Sequence, residues 1–250
     1  MPMSEDVVIL CGGLGTRLQS VVSDRPKSLA RLRERPFLEW QLLSLQTMGF
    51  RNVVLCIGYM GEAIQEYAEN GAFKGLCIQY VEEAEPRGTG GALRGALPHL
   101  RTDPVVVLNG DSWCHLDFEQ LLHWSRTKQS KATIALTHVP DTARYGRVEL
   151  NDHEEIETFE EKGRFSAPGW INAGIYVLSQ EFISGIPEQY PISLERDIFP
   201  KWVGSGLYGY PKGQKFFDIG TPDSYAQAEV IFSDVFQRDL PMKCRVGPLS

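Results

Sequence analysis

Several features that define other classes of protein are missing from this sequence of 250 residues. No hydrophobic run approaches the ~20 residues of a membrane span, and the acids Glu5 and Asp6 near the start argue against a signal peptide. Basic residues number 25 against 32 acidic ones, and the net charge of −7 disfavours nucleic acid as a partner. We therefore expect a soluble cytoplasmic protein that binds neither membranes nor nucleic acid.

Cysteine is scarce, and its spacing excludes two further classes. The five cysteines are Cys11, Cys56, Cys77, Cys114 and Cys244, which lie far apart and mostly in or beside apolar runs. An odd number at such distances fits neither a disulfide framework nor a zinc site. We predict buried free thiols.

The sequence does contain a regular alternation of two hydrophobic patterns. Short apolar runs predict strands over residues 7–11, 53–57, 78–81, 105–108 and 133–137. Between them, helical patterns cover residues 36–48, 62–69, 89–97 and 117–127, with Pro36 suited to the first turn of a helix and Gly49 to its end. Alternation of strand and helix predicts an α/β fold, in which helices cover both faces of a parallel sheet.

After about residue 145 the pattern changes. A hairpin is predicted from residues 147–150 and 155–160 with its turn at 151–152, followed by a strand over 173–178 and helices over 194–203 and 222–236. We interpret this region as a small β insertion that builds a second half of the site.

The loop after the first strand holds Gly12, Gly13 and Gly15, whose backbone N–H groups can turn toward an anion. The glycines alone leave a phosphate cradle and a plain turn equally open. A dinucleotide-binding fingerprint would need a third glycine where Leu18 stands, and the Gly-Lys-Ser/Thr of a P-loop does not occur.

Longer motifs identify a family. The sequence contains LCGGLGTRL (10–18), RPKSLA (25–30), EPRGTGGAL (85–93), VVLNGD (106–111), YGRVEL (145–150), EEKG (160–163), INAGIY (171–176) and FFDIGTPDSY (216–225). Together and in this order they resemble the sugar-1-phosphate nucleotidyltransferases. The segments PFLEW, GTGGAL, SLERDIFP and FFDIGTPDSY are most similar to those of the members that use GTP and D-glycero-α-D-manno-heptose 1-phosphate.

The resemblance implies a Rossmann-like, mostly parallel mixed sheet in one domain over residues 1–240. The nucleotide half would cover about 1–140 and the sugar-phosphate half about 141–240, with a tail at 241–250. Residues 226–250 show no hexapeptide repeat, so we expect no β-helix domain. The reaction implied joins a nucleoside triphosphate to a sugar 1-phosphate and releases pyrophosphate.

Such a reaction needs cations, because it brings two polyanions together. Arg17 suits the β- and γ-phosphates and Lys27 the α-phosphate, and the resemblance assigns them these roles. It also places Asp111 and Asp218 at a Mg²⁺ ion, which accepts one or two carboxylates together with phosphate oxygens. The nucleotide-binding set it implies includes Cys11, Gly12, Gly13, Gly15 and Thr16.

The base and the sugar are expected at two further motifs. The resemblance assigns the base to Glu82 or Glu83 with Gly88, Thr89 and Gly90, and Arg87 is a candidate ion-pair partner for either glutamate. A carboxylate suits the paired donors of guanine, which favours GTP. For the sugar phosphate, the resemblance implies Gly146, Glu161, Lys162 and Asn172. Relatives commonly carry proline where this chain has Gly163.

Two other functions remain open. One is a uridylyl- or thymidylyltransferase acting on glucose 1-phosphate or an amino-sugar 1-phosphate. The other is a non-catalytic homologue that senses nucleotide sugars, although Arg17, Lys27, Asp111 and Asp218 are all present. The expected partners are the two substrates, and the sequence leaves a homodimer open.

Overall fold

The structure is a computed structural model that describes residues 3–71, 73–160, 166–189 and 191–239. Its strands are β1 Val7–Leu10, β2 Arg31–Leu32, β3 Arg35–Pro36, β4 Asn52–Ile57, β5 Cys77–Glu82, β6 Val105–Asn109, β7 Ser112–His115, β8 Ala132–Val139, β9 Arg147–Leu150, β10 Ile156–Glu160, β11 Gly169–Leu178 and β12 Leu207–Asp218. Its α-helices are α1 Phe37–Met48, α2 Gly61–Asn70, α3 Gly88–Ala96, α4 Phe118–Thr127, α5 Gln180–Ser184, α6 Phe199–Trp202 and α7 Pro222–Asp239.

One mixed sheet organises these elements. Its strand order is β5-β4-β1-β6-β11-β8-β12-β7, and the β9–β10 hairpin pairs with β11 through β9. The pairings among β5, β4, β1 and β6 are parallel, whereas β11 runs antiparallel to both β6 and β8. The predicted mostly parallel α/β sheet is confirmed, and the antiparallel strands β11, β7 and β10 make it mixed.

The apolar run of β1 explains why helices lie on both faces of this sheet. Val7 and Ile9 pack with α1 in one core cluster, and Val8 packs with α3 in another. Alternate residues of a strand point to opposite faces, so a run that is apolar throughout must be covered on both sides. All three side chains are fully buried.

A third core cluster lies under the loop that follows β1. Leu18 of that loop packs with Phe217 and Ile219, which flank Asp218, and with Phe232 of α7. Leu18 is only 1% exposed. Apolar contacts therefore hold the glycine loop against the end of β12.

The sequence patterns missed several elements after β6. Strands β7 and β12 were not predicted, because Ser112–His115 is short and polar and Leu207–Asp218 contains proline, glycine and lysine. The strand predicted over 173–178 begins earlier, at Gly169. The helix predicted over 194–203 is divided into a π-helical turn, Leu194–Ile198, and α6.

The prediction of buried thiols holds for Cys11, Cys56 and Cys114, which are free and buried. It is wrong for Cys77, which is free but exposed because β5 forms the edge of the sheet. Cys244 and the predicted tail lie outside the described residues. Within the described part of the chain, no helix is both long and apolar enough to cross a bilayer.

Candidate active site

The loop after β1 lies at the carboxyl edge of the parallel strands. Two backbone hydrogen bonds tie it to the end of β4, from Cys11 N to Cys56 O (2.8 Å) and from Tyr59 N to Gly12 O (3.4 Å). Gly15 has φ +61°, which only glycine adopts without strain. A Cβ on Gly13 would meet no atom within 4 Å, so this part of the loop faces open space. The geometry is that of a backbone cradle open to a ligand.

Two predicted basic residues follow on the same connection. Thr16 and Arg17 directly follow Gly15 and are exposed. Lys27 begins a short 3-10 helix, Lys27–Leu29, whose Ser28 and Leu29 are buried. The loop and the 3-10 helix are in contact, since a Cβ on Gly15 would lie 3.1 Å from the Cβ of Lys27.

Lys27 forms an ion pair with Asp111, which lies in the turn between β6 and β7. The side chains are 14% and 37% exposed, so the pair is sheltered on the lysine side and open on the aspartate side. Asp218 is close as well, because both the Lys27 Nζ and Asp218 Oδ1 lie within 3.6 Å of the position of a Cβ on Gly220. One ammonium group thus lies beside both predicted metal-binding carboxylates.

The backbone explains why the two aspartates are neighbours. Strands β7 and β12 pair antiparallel with Ser112 opposite Asp218, and Ile219 N donates to Asp111 O at 2.9 Å. A strand that the sequence did not predict therefore brings Asp218 to the site. Thr221 caps α7 as predicted, accepting from Ser224 N at 3.2 Å.

The carboxylate of Asp218 is held by several donors. Its Oδ1 accepts from Gly220 N (2.7 Å) and Ser224 Oγ (2.8 Å), and its Oδ2 accepts from Tyr145 OH (2.9 Å). The Arg144 guanidinium lies 3.6 Å from Oδ2. Such bonds fix the orientation of the carboxylate.

Sequence reasoning missed Arg144 and Tyr145. Burial, followed by the charge of Asp218, raises the pKa of Tyr145 to about 12, so its hydroxyl keeps its proton and donates to the carboxylate. Tyr145 opens the motif YGRVEL, Arg144 directly precedes it, and only Gly146 of this segment was predicted as a site residue. An arginine and a tyrosine directly before that glycine were the further candidates.

Of the two candidate base-binding glutamates, the structure places only Glu83 inside the site. Glu82 is exposed at the end of the edge strand β5. Glu83 is half-buried, and a Cβ on Gly12 would lie 2.5 Å from its Oε2. Burial raises the pKa of Glu83 to about 7, although the Arg87 charge and a backbone hydrogen bond from Arg87 oppose the shift. Its Oε1 is buried and accepts no hydrogen bond from the described residues.

The GTGG turn opens α3 beside Glu83, but part of it is engaged within the protein. Gly88 has φ +73°, and a Cβ there would lie 2.4 Å from Ile192 O. Gly90 N donates to Ile192 O (2.9 Å), and the Thr89 hydroxyl donates to Glu195 (2.9 Å). These two donors bond residues 192 and 195 in the structure, and the roles of Gly88, Thr89 and Gly90 at the base stay predictions.

Gly146 follows Tyr145, which donates to Asp218, and Asn172 N donates to Gly146 O at 3.3 Å. We call the region between these residues and the glycine loop the crevice. Asn172 Oδ1 accepts from Gly174 N (2.8 Å), and its Nδ2 donates to Tyr176 OH (3.0 Å). Strand β11 shifts register between Asn172 and Tyr176, and such a bulge re-aims a side chain. Glu161 and Lys162 lie outside the described residues.

The side chains available as ligands limit which metal ion the crevice can bind. Within the described residues, no group of three or more His, Cys, Asp or Glu side chains could hold an ion by itself. Asp111 and Asp218 supply two carboxylates, which suits an ion that takes its remaining ligands from water and phosphate. The arrangement can hold a phosphate chain between a glycine cradle, a lysine and two carboxylates.

Comparison with known proteins gives one consistent result. The Nucleotidyl transferase family model matches residues 6–234. D-glycero-alpha-D-manno-heptose 1-phosphate guanylyltransferase of Campylobacter jejuni is 36% identical over 87% of this chain and 96% of its own. Mannose-1-phosphate guanylyltransferase of Mycobacterium tuberculosis is 33% identical over 89% of this chain and 63% of its own.

Solved structures agree. HddC from Yersinia pseudotuberculosis, which has also been solved in complex with GMP-PN, shares the fold with a TM-score of 0.81. It is 33% identical, and the match covers 91% of this chain and 99% of HddC.

Proposed function

The chain belongs to the nucleotidyl transferase family, and on that basis we propose that it transfers GMP from GTP to D-glycero-α-D-manno-heptose 1-phosphate. The products are the GDP-sugar and pyrophosphate. The observation that carries the reaction type is the position of Lys27 beside Asp111 and Asp218, at the edge of the glycine loop. Similarity to guanylyltransferases over nearly the whole chain supports the choice of substrates.

In this reaction a phosphate oxygen of the sugar 1-phosphate attacks the α-phosphorus of GTP, and the bond from that phosphorus to the bridging oxygen of pyrophosphate breaks. The attacking oxygen is already anionic, so the site needs no general base. The difficulty is charge repulsion, which fixed cations relieve. Lys27 neutralises charge at the α-phosphate, and Arg17 binds the departing β- and γ-phosphates.

The ammonium of Lys27 forms an ion pair with Asp111. We propose that Asp111 and Asp218 hold Mg²⁺ together with the triphosphate, because two carboxylates and phosphate oxygens are the ligands this ion accepts. Bound there, the ion would neutralise negative charge on the phosphates. Tyr145 and Arg144 orient Asp218 for that role. Removal of divalent ions with EDTA should abolish turnover, and added Mg²⁺ should restore it.

We assign guanine to Glu83 rather than to the exposed Glu82. The N1–H and N2–H₂ groups of guanine form a paired donor edge that suits a carboxylate. Glu83 offers a buried oxygen that accepts no hydrogen bond from the described residues. Uracil and thymine present a single N–H between two acceptors, so a carboxylate suits them less well.

The sugar phosphate is assigned to the side of the crevice that holds Gly146 and Asn172, and the roles of Glu161 and Lys162 stay predictions. We place the enzyme in the cytoplasm, where the free thiols of Cys11, Cys56 and Cys114 persist. A homodimer also stays a prediction.

The proposal is tested by pyrophosphate release over a grid of nucleoside triphosphates and sugar 1-phosphates with Mg²⁺. GTP with the heptose 1-phosphate should give the highest kcat/KM. Faster turnover of UTP or dTTP with glucose 1-phosphate would favour the alternative transferase. Nucleotide-sugar binding with no release under any combination would favour a sensing homologue.

A further inference from the structure

The segment SLERDIFP, residues 193–200, contains a side chain to which the reaction assigns no role. Glu195 lies in the π-helical turn Leu194–Ile198. Two backbone hydrogen bonds join the preceding residues to the GTGG turn, from Ile192 N to Arg87 O (2.9 Å) and from Gly90 N to Ile192 O (2.9 Å). The turn near the base and the segment that carries Glu195 therefore form one unit.

The carboxylate of Glu195 accepts hydrogen bonds from three hydroxyl groups. Its Oε2 accepts from Thr89 Oγ1 (2.9 Å) and Ser193 Oγ (2.8 Å), and its Oε1 accepts from Tyr176 OH (3.2 Å). Burial raises the pKa of Tyr176 well above its usual value, so this hydroxyl always has a proton to donate. The carboxylate links elements that are distant in sequence.

Tyr176 extends the network to the other side of the crevice. Because its proton goes to Glu195, its oxygen accepts from Asn172 Nδ2 (3.0 Å) and Asn109 Nδ2 (3.3 Å). Asn172 lies on the sugar side, and Asn109 ends β6 two residues before Asp111. Segments beside the base, the sugar and the metal thus meet through Glu195 and Tyr176.

We infer that Glu195 is a positioning residue that couples the two substrate sites. Through Thr89 it fixes the turn beside the base, and through Tyr176 it fixes Asn172, so a nucleotide that orders the turn also orders the sugar side. Buried polar networks act as units, because a missing member leaves its partners unpaired. The inference rests on the proposed function, which assigns guanine to Glu83 beside the turn and the sugar phosphate to the side that holds Asn172.

Coupling is measured as the change that one ligand makes in the affinity for the other. The probes are guanosine 5′-[α,β-methylene]triphosphate with Mg²⁺, which cannot transfer GMP, and D-glycero-α-D-manno-heptose 1-phosphate. By calorimetry on the full chain, the analogue should tighten sugar-phosphate binding by about fivefold or more. In Glu195→Gln this ratio should fall to near one.

Two further variants sharpen the test. Glu188→Gln is the matched control, because Glu188 is an exposed glutamate that pairs with Arg94 at 3.4 Å outside the network, and its ratio should stay at the wild-type value. Tyr176→Phe keeps the Thr89 contact but removes the link to Asn172, so its ratio should fall as well. It also serves if Glu195→Gln does not fold. Glu195→Gln with an unchanged ratio and weaker sugar-phosphate binding would show a direct sugar contact and overturn the inference.

Amide hydrogen exchange separates this inference from the proposed function. In the wild type, the analogue alone should slow exchange at residues 171–174 as well as in the loop at 12–17. In Glu195→Gln, only the loop should be protected. Protection of the wild-type loop without residues 171–174 would contradict the coupling and leave the proposed function intact. No protection in either place would contradict both.

Discussion

In the half of the sheet formed by β5, β4, β1 and β6, every pairing is parallel and the register runs without interruption. In the half formed by β11, β8, β12 and β7, every pairing carries a register shift. In the first half, which we call the regular half, residues of the site lie on loops that follow the strands, as Gly12, Lys27 and Glu83 do. In the second half, which we call the irregular half, residues of the site lie within strands that contain a register shift, as Asn172 and Asp218 do. Regular strands place the loops side by side at one edge of the sheet, whereas a bulge changes the direction in which an individual side chain points.

The largest expected effect lies where the two halves meet. Asp111→Asn should lower kcat by about a thousandfold or more, because a bound metal supplies several kcal/mol of charge stabilisation. The fold should persist, since this side chain is partly exposed. Asp223→Asn, at an exposed aspartate in the first turn of α7, is the matched control and should keep wild-type rates. Pyrophosphate release at saturating Mg²⁺ checks both, and near-normal turnover of Asp111→Asn would refute the metal assignment.

Lys27→Ala tests whether Lys27, which belongs to the regular half, stabilises charge in the transition state. A donor that acts on charge in the transition state is worth about 100- to 1000-fold in rate, so kcat should fall by that amount while the KM for GTP changes less. Steady-state kinetics give the comparison, with exposed Lys201→Ala as control. Equal losses in binding and rate would instead make Lys27 a ground-state anchor for phosphate.

Glu83→Gln tests whether the carboxylate of Glu83 recognises guanine. One bidentate base contact is worth about 1–3 kcal/mol of discrimination, so kcat/KM for GTP should fall by about 10- to 100-fold. The value for UTP should hold or rise, because an amide can serve both an N–H and a carbonyl. The exposed neighbour offers the control Glu82→Gln, which should leave the GTP/UTP ratio unchanged. If Glu82→Gln alone changes the ratio, the assignment of the base to Glu83 is wrong.

Sequence patterns predicted the regular half well, and the reason is physical. Continuous apolar runs such as Val7–Leu10 reveal a strand buried on both faces, and the glycine loop and Lys27 follow in the same stretch of chain. The pairing of Lys27 with Asp111 joins residues far apart in sequence, so only the fold could show it.

The irregular half was harder to predict, because its signals are not periodic. Strand β12 mixes Pro211 and Gly213 with polar residues, and its role in placing Asp218 depends on pairing with β7. The network of Glu195 and Tyr176 involves side chains from separate elements. No local pattern encodes such contacts.

Gly174→Ala breaks the bulge that aims Asn172. At φ +72° a non-glycine residue costs about 1 kcal/mol or more, and a Cβ would lie 2.3 Å from Ser112 Oγ. The midpoint of thermal unfolding should fall, and the KM for the sugar phosphate should rise more than that for GTP. Gly204→Ala has a similar φ of +71° with no atom within 4 Å, so it isolates the backbone strain. Equal effects of the two variants would show that crowding at the bulge is unimportant.

The smallest expected effect is a pH dependence of stability from Glu83. Its pKa is raised from 4.5 to about 7 in the folded protein, so between these values the folded state keeps a proton that the unfolded state releases. The contribution to stability is therefore complete below pH 4.5 and is lost as the pH rises through about 7. Thermal unfolding from pH 4.5 to 8 should show this loss in the wild type and not in Glu83→Gln. Parallel curves would contradict the raised pKa.

The central claim is that the sugar phosphate attacks the α-phosphorus of GTP at the site formed by Lys27, Asp111 and Asp218. It is tested most directly with D-glycero-α-D-manno-heptose 1-phosphate labelled with ¹⁸O in its phosphate group. Mass spectrometry of the products should find all the label in the GDP-sugar and none in pyrophosphate, and Asp111→Asn should form neither product at a comparable rate. Label in pyrophosphate, or unlabelled GDP-sugar, would contradict the account.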